Sequence, residues 1–590
     1  MKNLFTLIFL FQTLACFPFN DPSALSKVDP ALLKEFNNKS EVEYVVVLKD
    51  KLVLEGTLHF NTKLAKGNYV YNMLKAHARK TQEGILHILK KEQVEYHAFW
   101  VVNAIRVKSD IDMVRRLAVR KDVEAIISNA PFYAIQTPVI ERYNTSISSR
   151  NGTPEWGIRA IHADSVWSTG NTGQGVVIAG QDTGYEWALS PIKSRYRGYT
   201  DEDHTDHNYN WFDAIHHKQA ITIPDSIPNP CGFDSKEPCD DHNHGTHTMG
   251  TMVGQDDENS IGVAPGARWI ACRNMDRGWG SITSYIECFE WFIAPTALDG
   301  TNPDPSKAPH VINNSWYCNQ DEGCNLSNFG IMEEVVKNVK AAGIVVVVSA
   351  GNDGYLGCGS INGPAAIFEP SFSVGATGID TLIAGFSSRG PVTIDSSFRL
   401  KPNVVAPGVN VRSIVRGGKY ANFSGTSMAG PHVAGLVALM ISANPKLAGE
   451  VEVIEDIIES TCLPLTSTID CAGFEGDIVP NAIYGYGLVD AWKAVERAKS
   501  YIPVSVQDIS ANIRVIPNPV QEWVTFSVEK GNLPIQSIEI YTLDGKQLFK
   551  SDYSSGQILQ TIDTGNLDHG IYMYRIWVGD RPVTGKLVKM

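Results

Sequence analysis

Hydrophobic and polar positions change their rhythm twice along this chain, and each rhythm predicts a different kind of unit. Between residues 41 and 135, Tyr44–Leu48 reads as a strand and the amphipathic stretch from Leu74 to Val94 as a helix. Phe99–Val107 holds one or two strands, Ile111–Arg120 a helix and Val123–Ser128 a last strand. That is the β-α-β-β-α-β order of a ferredoxin-like α+β unit. A loosely patterned segment between Ile135 and Thr153 leads into a long middle region. There Val176–Ala179 and Ile344–Val348 are continuous apolar runs, as strands covered on both faces require. Thr248 to Val253 reads as helix, and Ala429, Val433, Val437 and Met440 recur at helical spacing. Strands alternating with helices predict an α/β domain with a mostly parallel, doubly wound sheet. From about Val506 the rhythm shortens again. Ile513–Val520 opens a series of short alternating strands, Ser537–Leu543 precedes a turn at Asp544-Gly545, and Ile571–Val578 precedes one at Gly579-Asp580. This predicts a small all-β sandwich.

Composition adds limits to that picture. The 590 residues exceed one domain, and 43% hydrophobic with 19% charged residues is a globular composition. A net charge of −13 speaks against nucleic acid as a partner, which needs clustered Lys and Arg. Lys2 followed by the apolar run Leu4–Ala15 predicts a secretory signal peptide within residues 1–20, too short to span a bilayer. Ala15-Cys16 has a trace of lipoprotein processing, but Thr13 stands where that pattern prefers Leu. No other stretch reads as long and apolar enough for a membrane span. Ten cysteines fit an oxidising compartment, and loss of Cys16 leaves nine, so at least one thiol is unpaired within the chain. Close spacing favours Cys231–Cys239, Cys318–Cys324 and Cys462–Cys471 as bridges, with Cys272, Cys288 and Cys358 as candidates for a buried free thiol.

The chemistry concentrates at three junctions between apolar runs and glycine. Gly425-Thr426-Ser427-Met428-Ala429-Gly430-Pro431-His432 places Ser427 at a helix start, with Pro431 expected in the first turn, where its missing N–H costs nothing. Free N–H groups and the helix dipole there favour negative charge, the charge a carbonyl oxygen develops under attack by a hydroxyl. A lone serine at such a place is more often a cap. Asp182, however, ends the strand Val176–Ala179 in Gln181-Asp182-Thr183-Gly184, where open α/β sheets put ligand groups. His244 lies in His242-Asn243-His244-Gly245-Thr246-His247, which opens another helix. The order Asp182, His244, Ser427 with intact Asp-Thr-Gly, His-Gly-Thr-His and Gly-Thr-Ser-Met-Ala-x-Pro-His resembles the subtilase family of serine endopeptidases. Glu155–Ile161, Ile261–Ala267 and Asn313–Trp316 are similar to its bacillopeptidase F branch, and the resemblance covers roughly residues 150 to 500.

That resemblance implies a subtilisin-like fold over 151–503 and a set of roles. Ser427 would be the nucleophile, His244 the general base and Asp182 its orienting partner, with activity rising with pH through the ordinary histidine range. Asn352, which follows Ser349-Ala350-Gly351 at the exit of the strand Ile344–Val348, would join the Ser427 N–H in an oxyanion hole. Ser315, Trp316 and Gly351 would bind substrate along an edge strand. Trp316 either lines a pocket or packs beneath it, and Tyr317 stands where relatives often carry Gly, which bears on channel width. No cofactor is implied for the chemistry. Structural Ca²⁺ is common in the family, and Asp201, Glu202, Asp203 and Asp206 lie in one loop, but no spacing there matches a calcium loop. The unit within 21–150 resembles the family's inhibitory propeptide, its tail lying in the cleft until cut between Ile135 and Thr153. Pro517-Asn518-Pro519, Tyr541–Lys546, Gly570-Ile571-Tyr572 and Lys586–Lys589 resemble the type A sorting domain of type IX secretion over 506–590. The implied partners are therefore protein substrates, the chain's own propeptide and the outer-membrane export machinery, with the product secreted or held at the cell surface. Three other readings compete. His242, His244 and His247 could be zinc ligands, which leaves Asp182, Asn352 and the Gly-Thr-Ser run unexplained. A catalytically dead binding relative has no need of the intact quartet, and the last segment could be an adhesive or carbohydrate-binding module.

Overall fold

The computed structural model describes residues 22–54, 60, 62–135, 152–220, 222–224, 226–316, 326–502, 513–528, 534–542, 546–553, 558–578 and 581–590. The expected signal peptide, Tyr317, the Cys318–Cys324 pair, most of the segment between Ile135 and Thr153, and the turns at Asp544-Gly545 and Gly579-Asp580 lie outside them. The chain divides into two compact units, residues 1–501 and 502–590.

In the first unit seven parallel strands form one sheet in the order Val404–Pro407, Phe372–Thr377, Val345–Ser349, Val311–Asn314, Val177–Asp182, Arg268–Arg273, Trp211–Asp213. The β-branched run at 344–348 is apolar throughout because both faces are covered. Val345 and Val347 join one core with Val433, Val437 and Met440 of the helix Thr426–Ala443. Val346 and Val348 join the other, with Ile286 and Phe289 of the helix Ile282–Ile293 and Val335 and Val336 of the helix Leu326–Ala341. The chain runs outward in both directions from Val177–Asp182 and Val311–Asn314. The crevice beyond their C-terminal ends is the sheet's switch point, and Asp182 and Ser315 both lie there. The helix Thr426–Ala443 has the length and apolar composition of a membrane span, contrary to the sequence expectation, yet it is the core helix of this sheet.

The N-terminal unit forms a four-stranded antiparallel sheet in the order Glu95–Ala98, Ala104–Ser109, Val42–Leu48, Val123–Ser128. Its long helix runs over Lys63–Lys91, eleven residues earlier than the pattern from Leu74 suggests. Those first turns are polar because they pack outside their own core: Lys66 Nζ donates to Gly449 O at 2.7 Å and reaches Glu450 at 3.2 Å. In the second unit a three-stranded and a four-stranded antiparallel sheet share a core that includes Val524, Phe526, Ile538, Ile540, Ile576 and Leu587. Alternating strands with one buried face each give the sandwich.

Cysteine pairing departs from the expectation. Cys231–Cys239 forms, but Cys272 pairs with Cys288 and Cys358 with Cys471, and among the described residues Cys462 carries a free thiol. Proximity in sequence misleads because topology brings distant cysteines together. Cys272 on a strand and Cys288 on the helix above it have Cα atoms 5.7 Å apart, and Cys358 and Cys471, 113 residues apart, 5.4 Å. Cys462 ends the helix Val451–Thr461 with its thiol directed at Ile458 O.

Candidate active site

At the crevice, Asp182 closes its strand fully buried, and His244 opens the helix His244–Val253. The His244 Nδ1 lies 2.8 Å and 3.0 Å from the two Asp182 carboxylate oxygens, and the Thr183 N–H donates to Asp182 Oδ1 at 2.7 Å. The close approach of the two segments needs glycine: a Cβ on Gly245 would meet Gly184 O at 2.1 Å. Asp240, not singled out in the sequence reading, is the buried organiser of this junction. Its Oδ1 accepts from Thr183 Oγ1, His242 N–H and Asn243 N–H, and its Oδ2 from Thr246 N–H and Oγ1. These five donors fix the turn before the helix, and one of them, the Thr246 N–H, lies in the first helical turn that Asn243, at φ +91°, does not cap with its side chain. An acid within a turn of a helix start is the signal that could have found it.

His247 serves the same geometry from the other side of the helix. Its Nε2–H faces Val411 O at 3.0 Å and Ala421 O at 3.2 Å, and its ring stacks on Phe423 at 4.3 Å. Burial pushes its pKa down to about 3, so the ring stays neutral. The hairpin it holds, Val411–Val415 with Lys419–Phe423, runs straight into Gly425 and Ser427. His242, the third histidine of the run, faces Tyr133 Oη at 3.3 Å, so the three imidazoles diverge. Among the described residues no group of three or more His, Cys, Asp or Glu is arranged to hold a metal ion. In the loop 201–207, Asp201 pairs with His204 and Glu202 with Lys193.

Ser427 is the second residue of its helix, which begins at Thr426. Pro431 therefore lies in the second turn, not the first, and leaves the Ser427 carbonyl without its i+4 donor. The Ser315 hydroxyl takes that place at 3.0 Å, held in turn by Asn313 Nδ2 at 2.8 Å. The Ser427 hydroxyl donates to Ser315 O at 3.2 Å, and the structure draws no hydrogen bond between it and His244. Asn352 is anchored through its Oδ1, which accepts from Thr426 N–H and Oγ1, both at 2.9 Å. The Thr426 hydroxyl also receives the Gly351 N–H at 3.2 Å. A Cβ built on Gly425 would stand 3.5 Å from Asn352 Nδ2 and 3.7 Å from Ser427 N, so the two donors flank one small space. Trp316 is buried and packs against Tyr285, the two rings 4.0 Å apart.

One element of the crevice was not read from sequence. Trp279–Gly280 pairs antiparallel with Phe132–Tyr133 of the N-terminal unit, and the Ala134 N–H donates to Gly278 O at 2.9 Å. Phe132 stacks on Tyr285 at 5.6 Å. A two-residue strand is too short to leave a periodicity; only the Gly-Trp-Gly triplet hints at a backbone that another chain can approach.

The subtilase family model matches residues 173–487, and a secretion system C-terminal sorting domain matches 514–590. Bacillopeptidase F of Bacillus subtilis is 33% identical over 544 residues, 87% of this chain and 35% of the relative, so the chain spans about a third of that protein's length. Subtilisin Savinase of Lederbergia lenta is 30% identical over 341 residues, 57% of this chain and 96% of the relative. A thermostable alkaline protease of Halalkalibacterium halodurans is 27% identical over 429 residues, 71% and 94% of the two chains. The chain belongs to the subtilase family of serine endopeptidases, and it ends in a sorting domain for secretion.

Proposed function

We propose that the chain is an exported endopeptidase, made as a zymogen, that cuts peptide bonds with Ser427, His244 and Asp182. The observation that carries this is the buried Asp182–His244 pair at the sheet's switch point, in the same crevice that Phe132–Ala134 enters as an added strand. Asp182 accepts a hydrogen bond from the Nδ1–H, which leaves the His244 Nε2 lone pair as the base. The Ser427 hydroxyl turns from Ser315 O to that nitrogen and gives up its proton as Oγ attacks the carbonyl carbon. Negative charge forming on the carbonyl oxygen is met by the Ser427 N–H and Asn352 Nδ2. His244 then protonates the leaving amine, and water repeats the sequence on the acyl-enzyme. No cofactor enters any of these steps. The sorting domain would direct the protein through the outer membrane by the type IX machinery. A fluorophosphonate should label Ser427 in the processed protein, with chelators without effect; chelator-sensitive hydrolysis and no label would reverse the reading.

The N-terminal unit fits the inhibitor's part. Beyond the tail in the cleft, Glu290 Oε2 accepts the Trp100 and Val101 N–H groups at 2.6 and 2.9 Å, and Asn338 Nδ2 donates to Val101 O at 2.7 Å. Burial pushes the Glu290 carboxyl up to about 8 from the usual 4.5, against the Val101 and Trp100 N–H groups that favour its charged form, with Glu287 adding to the rise and Lys75 opposing it. Where separation lets water reach this carboxyl, it releases the proton that the bound state holds. The advantage of the bound state is complete at low pH and disappears as pH rises toward 8. After cleavage the N-terminal unit should dissociate about tenfold faster at pH 8.5 than at pH 6.5. Glu290→Gln should flatten that dependence, and gel filtration of the processed protein at the two pH values reads it. The interval avoids protonation of His97, whose buried ring has a lowered pKa.

A further inference from the structure

The segment that receives the added strand is held in an uncommon backbone shape. Asp276 and Trp279 exchange both backbone hydrogen bonds, at 2.7 and 3.0 Å, around a two-residue turn of Arg277 at φ +50° and Gly278 at φ +88°. Glycine adopts that region without cost, but arginine does not, so something must hold Arg277 there. Asp241 does so at the backbone, where its Oδ1 accepts the Arg277 N–H at 2.9 Å, while the Arg277 guanidinium donates to Asp276 at 2.8 and 3.1 Å and to Ile227 O at 2.8 Å. Its Oδ2 receives Arg273 Nη2 at 2.6 Å, and Arg273 is wholly buried, with a second contact to Asp213 at 3.1 Å. Arg273 sits directly opposite Asp182 on one neighbouring strand and Asp213 on the other. Asp241 is also three residues before His244. One carboxylate thus ties the turn that presents Gly278 O to the strand ends that carry the catalytic groups.

We infer that Asp241 is a positioning residue for extended substrates, bracing the Arg277-Gly278 turn against Arg273 so that Gly278–Gly280 can pair with the peptide. This rests on the peptidase reading above and adds a residue to it. An amide in place of the carboxylate loses the charge that satisfies Arg273 and brings an N–H₂ toward one of two donors, so the turn loses its clamp. Arg273 faces Asp241 as a cation, and Asp240 and Asp276 as carboxylates; burial, with these two anions and against the pull of Arg273, pushes its carboxyl up to about 7. The brace should therefore weaken on acidification through that range.

The test compares processed wild-type enzyme with Asp241→Asn on two substrates. One is a peptide anilide bearing the chain's own tail, Phe-Tyr-Ala-Ile; the other is an N-acyl amino acid ester too short to reach Gly278. Asp241→Asn should raise KM for the anilide about tenfold, with under about threefold change in kcat/KM for the ester. Replacing Arg277 by Gly removes the need for a clamp, so Asp241→Asn with Arg277→Gly should recover most of the lost anilide binding. An equal loss on both substrates, no loss on either, or no recovery in the double variant overturns the inference. If Asp241→Asn alone yields no folded enzyme, the double variant decides: folding with restored anilide hydrolysis supports the brace, and failure to fold overturns it. Wild-type enzyme inert on both substrates would instead indict the peptidase reading.

Discussion

Ser427→Ala should leave a folded protein that neither cleaves peptides nor separates its own N-terminal unit. In subtilisin, loss of the serine nucleophile lowers kcat about a millionfold, and that factor, borrowed from the relative, sets the expected scale. The geometry here explains why folding should survive. The bond lost is the one from Ser427 Oγ to Ser315 O, worth about 1 kcal/mol. The main-chain contact that stabilises the helix start, Ser315 Oγ to Ser427 O, does not involve the deleted atom. The Asp182–His244 pair and the anchored Asn352 also remain. The variant should therefore keep its thermal midpoint within a few degrees, run as one uncut chain on a denaturing gel and ignore fluorophosphonate. Processing at an undiminished rate would remove Ser427 from the mechanism.

Those three residues were legible because each stands where a local pattern breaks. Asp182 follows a strand covered on both faces, and His244 and Ser427 open helices whose first N–H groups need partners. Local burial writes itself into sequence as periodicity, so the parallel sheet and the ferredoxin-like unit could both be read. Pairing between distant segments leaves no such trace. The carbonyl freed by Pro431 is satisfied by Ser315, 112 residues away, and nothing near Pro431 announces it. Cys358 and Cys471 meet for the same topological reason, while Cys462, the nearer cysteine, is held at the end of its own helix. Asp240 did not stand out because its burial follows from two segments, Thr183 and His242–Thr246, converging on it. The turn at Arg277-Gly278 stayed hidden because its shape is imposed by Asp241, not by the arginine's own preference.

Asn352→Ala should lower kcat about a hundred- to a thousandfold with little change in KM, the range known for the matching donor in subtilisin and taken from there. The split between the two constants follows from when the contact forms. Asn352 Nδ2 flanks, with Ser427 N, the space beside Gly425, and a donor so placed gains most from an oxygen that has become an anion. The amide has a second duty, however, because its oxygen holds Thr426 N–H and Oγ1 at the first residue of the serine helix. Alanine loses both duties, and the exposed helix donor costs roughly 1 kcal/mol of stability. Asn352→Asp separates them: it keeps an acceptor for Thr426 but sets a carboxylate beside the forming oxyanion, so it should be at least as slow while folding better. Thr426→Val removes only the hydroxyl that links Gly351 N–H to Asn352, loosening the donor without deleting it, and should cost about tenfold. Rates in the order Asn352→Asp at or below Asn352→Ala, and both below Thr426→Val, with fluorophosphonate labelling still detectable in each, would place the oxyanion between Asn352 and Ser427. Equal kcat in wild type and Asn352→Ala would empty that space of any catalytic role.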